Sequence, residues 1–194
     1  MNILITTESL SPEVGGPYYT INSIAGVLAR RGHNVSVAYI DIYKDKNCML
    51  AEGVEEFVLP GIRWRGIRQN FSFSFKRRLV QIIREKSIDI LIDNGIWLFN
   101  NHASVVAANN TGIPLVVAPR GLLEVGALKH RLWKKRIAWY LYQRRDLEKV
   151  DMFHACSQKE MDSIRKAGFN QPIALVPNGV EIPEETAFKS DEKN

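Results

Sequence analysis

The sequence predicts an α/β fold: a doubly wound parallel sheet of about six to seven strands with helices on both faces. Short apolar runs of strand length alternate with stretches of helical periodicity along most of the chain. The first such repeat is a complete βαβ unit, which fixes a parallel pair and a right-handed crossover. The chain has 194 residues, 45% of them hydrophobic, enough for one domain with one sizeable core.

Asn2 to Thr6 is the first strand. Ser11-Pro12 and Gly15-Gly16-Pro17 form a loop, and Ile21, Ile24, Ala25 and Leu28 then repeat at helical spacing. That helix ends in a basic turn, Arg30-Arg31, and a glycine stop at Gly32. Residues 34–40 are the second strand, centred on Val35 and Val37, and residues 55–59 a short third strand before Pro60. Phe75, Leu79, Ile82 and Ile83 mark a helix; residues 88–92 are a fourth strand running into the turn Asp93-Asn94-Gly95. Ala103, Val106 and Ala107 mark a helix that stops at Gly112, before a buried fifth strand, Leu115 to Ala118. The turn after it presents Arg120 and two backbone amides. Ligands in open α/β sheets sit beyond the carboxyl ends of strands, so Arg120 stands where chemistry is expected. A long helix over 129–149, a strand over 152–155, a helix over 158–167 and a last strand over 173–176 complete a Rossmann-like domain. Residues 181–194 are polar and charged, the composition of a tail or linker.

A net charge of +5 and a pI near 9.2 suit an acidic partner: phosphate groups, an anionic membrane surface or nucleic acid. Cys48 and Cys156 form no CxxC pair, which argues against a metal site or disulfide framework. His33, His102, His130 and His154 lack metal-ligand spacing, and His154 is expected as a satisfied core residue. The start of the chain has no basic n-region, and no window reaches the apolar length of a membrane span, so a cytoplasmic protein is expected.

Four stretches carry the chemistry. Gly15-Gly16, between a strand and a helix, lets amides approach a phosphate, with a plain turn as the competing reading. The pattern is neither G-x-G-x-x-G nor a Walker A loop, and Asp41 alone is weak support for a dinucleotide. Asp93-Asn94-Gly95-Ile96-Trp97 offers an amide and a flat ring suited to a sugar; the competing reading puts Trp97 in the core and Asn94 in a turn. Residues 129–145 hold seven Lys or Arg and no acid. On a helical wheel Trp133, Ile137, Tyr140, Leu141 and Leu147 share a face expected to dock on the sheet. Arg131, Lys134, Lys135, Tyr142 and Arg145 share the other, which could meet lipid head groups or a phosphorylated acceptor, or simply be solvated. Ser157 and Glu160 read as a capping box. Glu184 and Glu192 lie in the polar tail and are set aside as chance spacing.

In order and spacing, a series of segments resembles the N-terminal domain of family 4 glycosyltransferases of the GT-B fold. They are Glu13-Val14-Gly15-Gly16, residues 28–35, Asp93 to Trp97, residues 112–123, Lys134-Lys135, residues 151–157, residues 164–168 and residues 172–180. The resemblance spans roughly residues 1 to 183. It implies that residues 1–180 are the acceptor-side half of a two-domain, metal-independent, configuration-retaining enzyme of hexosyltransferase type, with no cofactor. The partners it implies are a nucleotide-sugar donor and a glycan or lipid-linked acceptor, in surface polysaccharide synthesis, with the enzyme peripheral at the inner face of the plasma membrane. By the same resemblance Gly15 and Gly16 approach the donor diphosphate, and Arg120, Gly121 and Glu124 face the reacting sugar or acceptor, with Asn94 and Trp97 beside them. Relatives often carry His where this chain has Asn94, so no acceptor-activating role transfers there, and no residue is assigned as catalytic. Residues 181–194 are the tail or start of a linker. The donor-binding domain has no counterpart in these residues, so the chain alone is expected to be inactive.

Two rivals stand beside this reading. One is a stand-alone glycan-binding or partner module that complements a separately encoded donor domain. The other is a nucleic-acid binder, disfavoured because Trp133 and Tyr140 are placed on the inward face, away from bases.

Overall fold

The computed structural model describes residues 1–11, 16–41, 49–60, 62–63, 70–71, 74–124, 126–127 and 132–179. Gly15, Cys48, His130, Arg131 and the tail from residue 180 lie outside them, as does the side chain of Asp41. The elements run β1 (Asn2–Thr6), α1 (Gly16–Arg30), β2 (Asn34–Asp41), β3 (Val54–Pro60), β4 (Ile62–Arg63), β5 (Asn70–Phe71) and α2 (Phe75–Glu85). There follow β6 (Ile90–Asn94), α3 (Phe99–Thr111), β7 (Leu115–Ala118), α4 (Leu132–Ala138), a π-helical turn (Trp139–Gln143) and α5 (Arg144–Glu148). The last three are β8 (Met152–Ala155), α6 (Gln158–Lys166) and β9 (Ile173–Leu175).

Seven strands form an all-parallel sheet in the order β3-β2-β1-β6-β7-β8-β9. Alternation across the pleat sends Leu4, Leu91, Val117 and Phe153 to one face, under α2, α3, α5 and α6. Ile3, Ile5, Val35, Val37 and Ile92 face the other side, under α1. Phe75 and Phe153 are fully buried; each such side chain is worth roughly 1.5–3 kcal/mol of burial. The α1 side is thinly covered beyond β6, where Met152 and Val176 are 36% and 53% exposed.

Three expectations are corrected. The fourth strand of the main sheet begins at Ile90, because Ile88 still bonds back to Ile83 at the end of α2, and it runs on through Asp93 and Asn94. Asn94 is therefore a strand residue in register with Ala118. A small antiparallel pair, β4 with β5, falls where no element was expected. The single helix over 129–149 is interrupted by the π-helical turn, and its faces divide otherwise than expected: of the five residues expected inward only Leu147 is buried, whereas Lys134 and Arg145 are exposed as expected. Trp133, Ile137, Tyr140 and Leu141 point to solvent, whereas Gln143, Asp146 and Leu147 are buried. The argument that kept Trp133 and Tyr140 away from nucleic-acid bases does not survive this. Among the described residues no helix is long and apolar enough to cross a membrane.

Candidate functional site

The strand order reverses at β1: the chain builds β2 and β3 on one side, then crosses to β6 on the other. The crevice at such a switch point is where an open α/β sheet binds ligands. Here it lies at the carboxyl ends of β1 and β6, which end in Thr6 and in Asp93-Asn94.

Polar side chains lace this point together. Thr6 Oγ1 donates to Asp93 Oδ1 at 2.6 Å, Asn101 Nδ2 donates to Asp93 Oδ2 at 2.9 Å, and Ser104 Oγ donates to Thr6 Oγ1 at 3.2 Å. Burial pushes the Asp93 carboxyl up to about 7, against the lowering effect of these bonds. Asn94, 5% exposed, donates from Nδ2 to the Thr6 carbonyl at 3.2 Å.

Arg120 is the hub. It takes a left-handed φ of 54°, followed by Gly121 at 74°, which swings its side chain back across the strand tips. Nε and Nη2 donate to Asn94 Oδ1 at 3.1 and 2.6 Å, and Nη1 donates to Asn178 Oδ1 at 3.1 Å and Cys156 Sγ at 3.0 Å. One guanidinium thus ties the ends of β6, β7, β8 and β9. Its acceptors are all neutral, and among the described residues it forms no ion pair. A half-buried, uncompensated positive charge at strand tips attracts an anion.

The rest of the turn is spoken for. The Gly121 amide donates to Glu160 Oε1 at 2.7 Å and the Leu122 amide to the Pro119 carbonyl at 3.1 Å, so neither is presented to a ligand as expected. Glu160 also accepts from the Cys156 amide at 2.8 Å. The capping box is therefore half formed: Ser157 Oγ accepts from the Glu160 amide at 3.2 Å, while the Glu160 carboxylate fixes the Arg120 turn instead of returning to the cap. Glu124 is ion-paired with Lys159.

Gly16 opens α1. Among the described residues a Cβ built on it meets nothing within 4 Å, and no acid lies in the helix's first turn, which favours negative charge there. Between α1 and the sheet lies a cavity of about 220 Å³, floored by Ile5, Ile92 and Val116 and bounded by Asn94 and Arg120.

Trp97 is 8% exposed and packs with the core, 5.9 Å from the Trp139 ring. Lys134 and Arg145 are exposed; Lys135 is half-buried, 5.5 Å over the Trp97 ring, and burial lowers its pKa. His154 is half-buried rather than in the core, bonded to the Val176 carbonyl at 2.9 Å.

The structure brings Asn94, Arg120 and Gly121 together and sets Trp97 on the far side of the Arg120–Glu124 turn, joined to it by the Leu122 carbonyl. Thr6, Asn101, Ser104, Cys156, Glu160 and Asn178 were not assigned to the site from the sequence, Glu160 having been read only as a capping-box partner. Their common signal is position: each sits at a strand end, in the opening turns of the helix that follows, or just past β9.

The family model for Glycosyltransferase Family 4 matches residues 14–183. The chain belongs to this family. As a Glycosyltransferase Family 4 domain it has the Rossmann-like architecture of one GT-B half. It is similar to HepE from Anabaena in complex with UDP, at 17% identity and TM-score 0.63, covering 93% of this chain and 45% of that one. It is also similar to sucrose-phosphate synthase from Thermosynechococcus elongatus, at 11% identity and TM-score 0.63, covering 91% and 47%. UDP-GlcNAc 2-epimerase from Neisseria meningitidis bound to UDP-GlcNAc gives 11% identity and TM-score 0.63, covering 92% and 47%. This glycosyltransferase-type domain therefore spans less than half the length of the structures it matches. No curated protein sequence matches it.

Proposed function

We propose that this domain is the acceptor-side half of a retaining, metal-independent glycosyltransferase that moves a sugar from a nucleotide-sugar to a glycan or glycolipid in surface polysaccharide synthesis. It works in the cytoplasm, at the inner face of the plasma membrane. The observation that carries the reading is Arg120: a guanidinium held by neutral acceptors at the switch point, with its charge uncompensated among the described residues. Such a group stabilises the negative charge that develops as a nucleoside diphosphate leaves. The open first turn at Gly16 offers a second approach for the diphosphate. That two similar structures hold UDP or UDP-GlcNAc supports a uridine nucleotide as the first donor to try.

One wall of a cleft does not exclude water, so the domain by itself turns over no sugar. A second domain, in cis or in trans, supplies the donor wall. The test is hydrolysis and transfer of a panel of UDP-sugars by this chain alone and by the two-domain protein. Activity only in the latter supports the proposal; robust transfer by the isolated chain overturns it.

The thin cover over β7 to β9 on the α1 side, with Met152 and Val176 exposed, favours one alternative: a module that pairs with a separately encoded donor domain. Stable capture of such a chain, seen by sedimentation, would decide for it.

A further inference from the structure

A groove of about 270 Å³ opens between α4, the π-helical turn, the end of α6 and the turn after β7. Trp97, Leu123, Trp139 and Ala167 make its walls apolar. Its floor is held in place. Trp97 has a φ of 80°, unusual for a bulky residue, and three bonds fix it there. Its amide donates to Gln143 Oε1 at 2.6 Å, its carbonyl accepts from the Tyr142 hydroxyl at 2.8 Å, and its indole donates to the Leu122 carbonyl at 3.3 Å. Two of those partners come from the π-helical turn, and such turns cluster at functional sites.

Beside the groove the same helix exposes Trp133, Ile137, Tyr140 and Leu141, at 66%, 51%, 70% and 68%. Their spacing puts them in one stripe, and Tyr140 belongs to both stripe and groove. A bare apolar stripe of this kind marks an interaction surface. The chemistry around it is cationic. Lys135 and Arg136 line the groove and Lys134 flanks it. No acid occurs from Leu132 to Arg145, and the next one, Asp146, is buried against His102. Among the described residues neither Lys135 nor Arg136 is ion-paired. Ile137 and Leu141 offer no flat ring for stacking bases, whereas aliphatic and aromatic side chains over a basic rim suit the interfacial zone of a bilayer.

We propose that this surface is an anionic-lipid site: the groove receives the alkyl chain of a membrane phosphate ester, Lys135 and Arg136 bind its phosphate, and the stripe rests in the bilayer around it. This deepens the membrane part of the proposed function and does not depend on sugar transfer.

Dodecyl phosphate, below its micelle-forming concentration, is titrated calorimetrically into the full chain, with butyl phosphate and a neutral dodecyl glycoside as references. Dodecyl phosphate is expected to bind at least about tenfold tighter than either reference. Ala167→Trp fills the groove without removing a bond and is expected to weaken binding by about tenfold or more. Lys135→Gln with Arg136→Gln is expected to bring dodecyl phosphate down to the level of the neutral glycoside. Tyr140→Ser with Leu141→Ser changes only exposed side chains and is expected to reduce cosedimentation with phosphatidylglycerol vesicles. Absence of dodecyl phosphate binding, or affinity unchanged by both the groove and the charge variants, overturns the site. So does equal displacement of dodecyl phosphate by a single-stranded oligonucleotide. Lipid binding without transfer in the two-domain protein would leave this site standing while the proposed function fell.

Discussion

Arg120 places two arms of its guanidinium on one oxygen: Nε and Nη2 lie 3.1 and 2.6 Å from Asn94 Oδ1. Asn94 is fixed in turn by its bond to the Thr6 carbonyl, so the aim of the cation is set by the two strands at the switch point. A left-handed backbone at Arg120 costs on the order of 1–3 kcal/mol and persists only where surrounding contacts over-determine it, which points to use rather than accident.

Arg120→Ala in the two-domain protein is expected to lower turnover about 100-fold, the scale of losing one charge-stabilising donor in a transition state. Thermal stability should fall only slightly, since strand-tip turns carry little of the core. Arg120→Lys should rescue poorly, because one ammonium cannot span Asn94, Cys156 and Asn178. A variant that melts earlier but keeps its turnover would make Arg120 purely structural.

Glu160→Gln tests what holds the turn. Two amides, of Gly121 and Cys156, lose a charged acceptor at 2.7 and 2.8 Å. The expected loss is about 1.5–3 kcal/mol in urea unfolding. A loss well below this would mean that the turn keeps its shape without the carboxylate.

The parallel sheet was legible because its strands are near-continuous apolar runs, and α2 because Phe75, Leu79, Ile82 and Ile83 keep a helical period. The place of Arg120 at a strand tip was legible from the apolar run Leu115 to Ala118 that ends just before it. The helix after β7 was not. Its inward face carries Tyr142, Gln143 and Asp146, which bond Trp97 and His102, while its outward face carries Trp133, Ile137, Tyr140 and Leu141. A hydrophobic wheel assumes that apolar means inward and counts a regular turn; here polar partners and a π-helical turn reverse both assumptions. The Glu160 bonds were missed for a related reason. A capping-box pattern satisfies the helix locally, and only the fold brings the Gly121 amide within reach.

Gly112→Ala isolates a backbone effect. Gly112 ends α3 at a φ of 72°, with its amide bonded to the Ala108 carbonyl at 2.8 Å. An added Cβ meets nothing within 4 Å, so no clash contributes. The expected cost is roughly 1–2 kcal/mol, that of an L-residue in the left-handed region. Unfolding curves showing no loss would mean that the chain relaxes to another cap.

Asp93 makes stability depend on pH. Burial is the largest influence and raises its pKa from 3.8 to about 7; bonds from Thr6, Asn101 and Ser104 pull it down, and the nearby charge of Asp146 adds to the rise. A folded-state value above the unfolded one means that the native protein binds the proton more tightly. The resulting stabilisation is complete below about 3.8 and is lost as pH rises through about 7. At roughly 1.4 kcal/mol per unit, a rise of about three units is on the order of 4 kcal/mol. Asp93→Asn keeps an acceptor for Thr6 and cannot ionise, so it removes the Asp93 titration together with its smaller coupling to the charge of Asp146. Unfolding free energies of wild type and variant should therefore diverge with pH, the wild type losing ground steadily from about pH 4 to pH 8. A constant difference across that range would show that the Asp93 carboxyl does not titrate there, and that burial does not govern it.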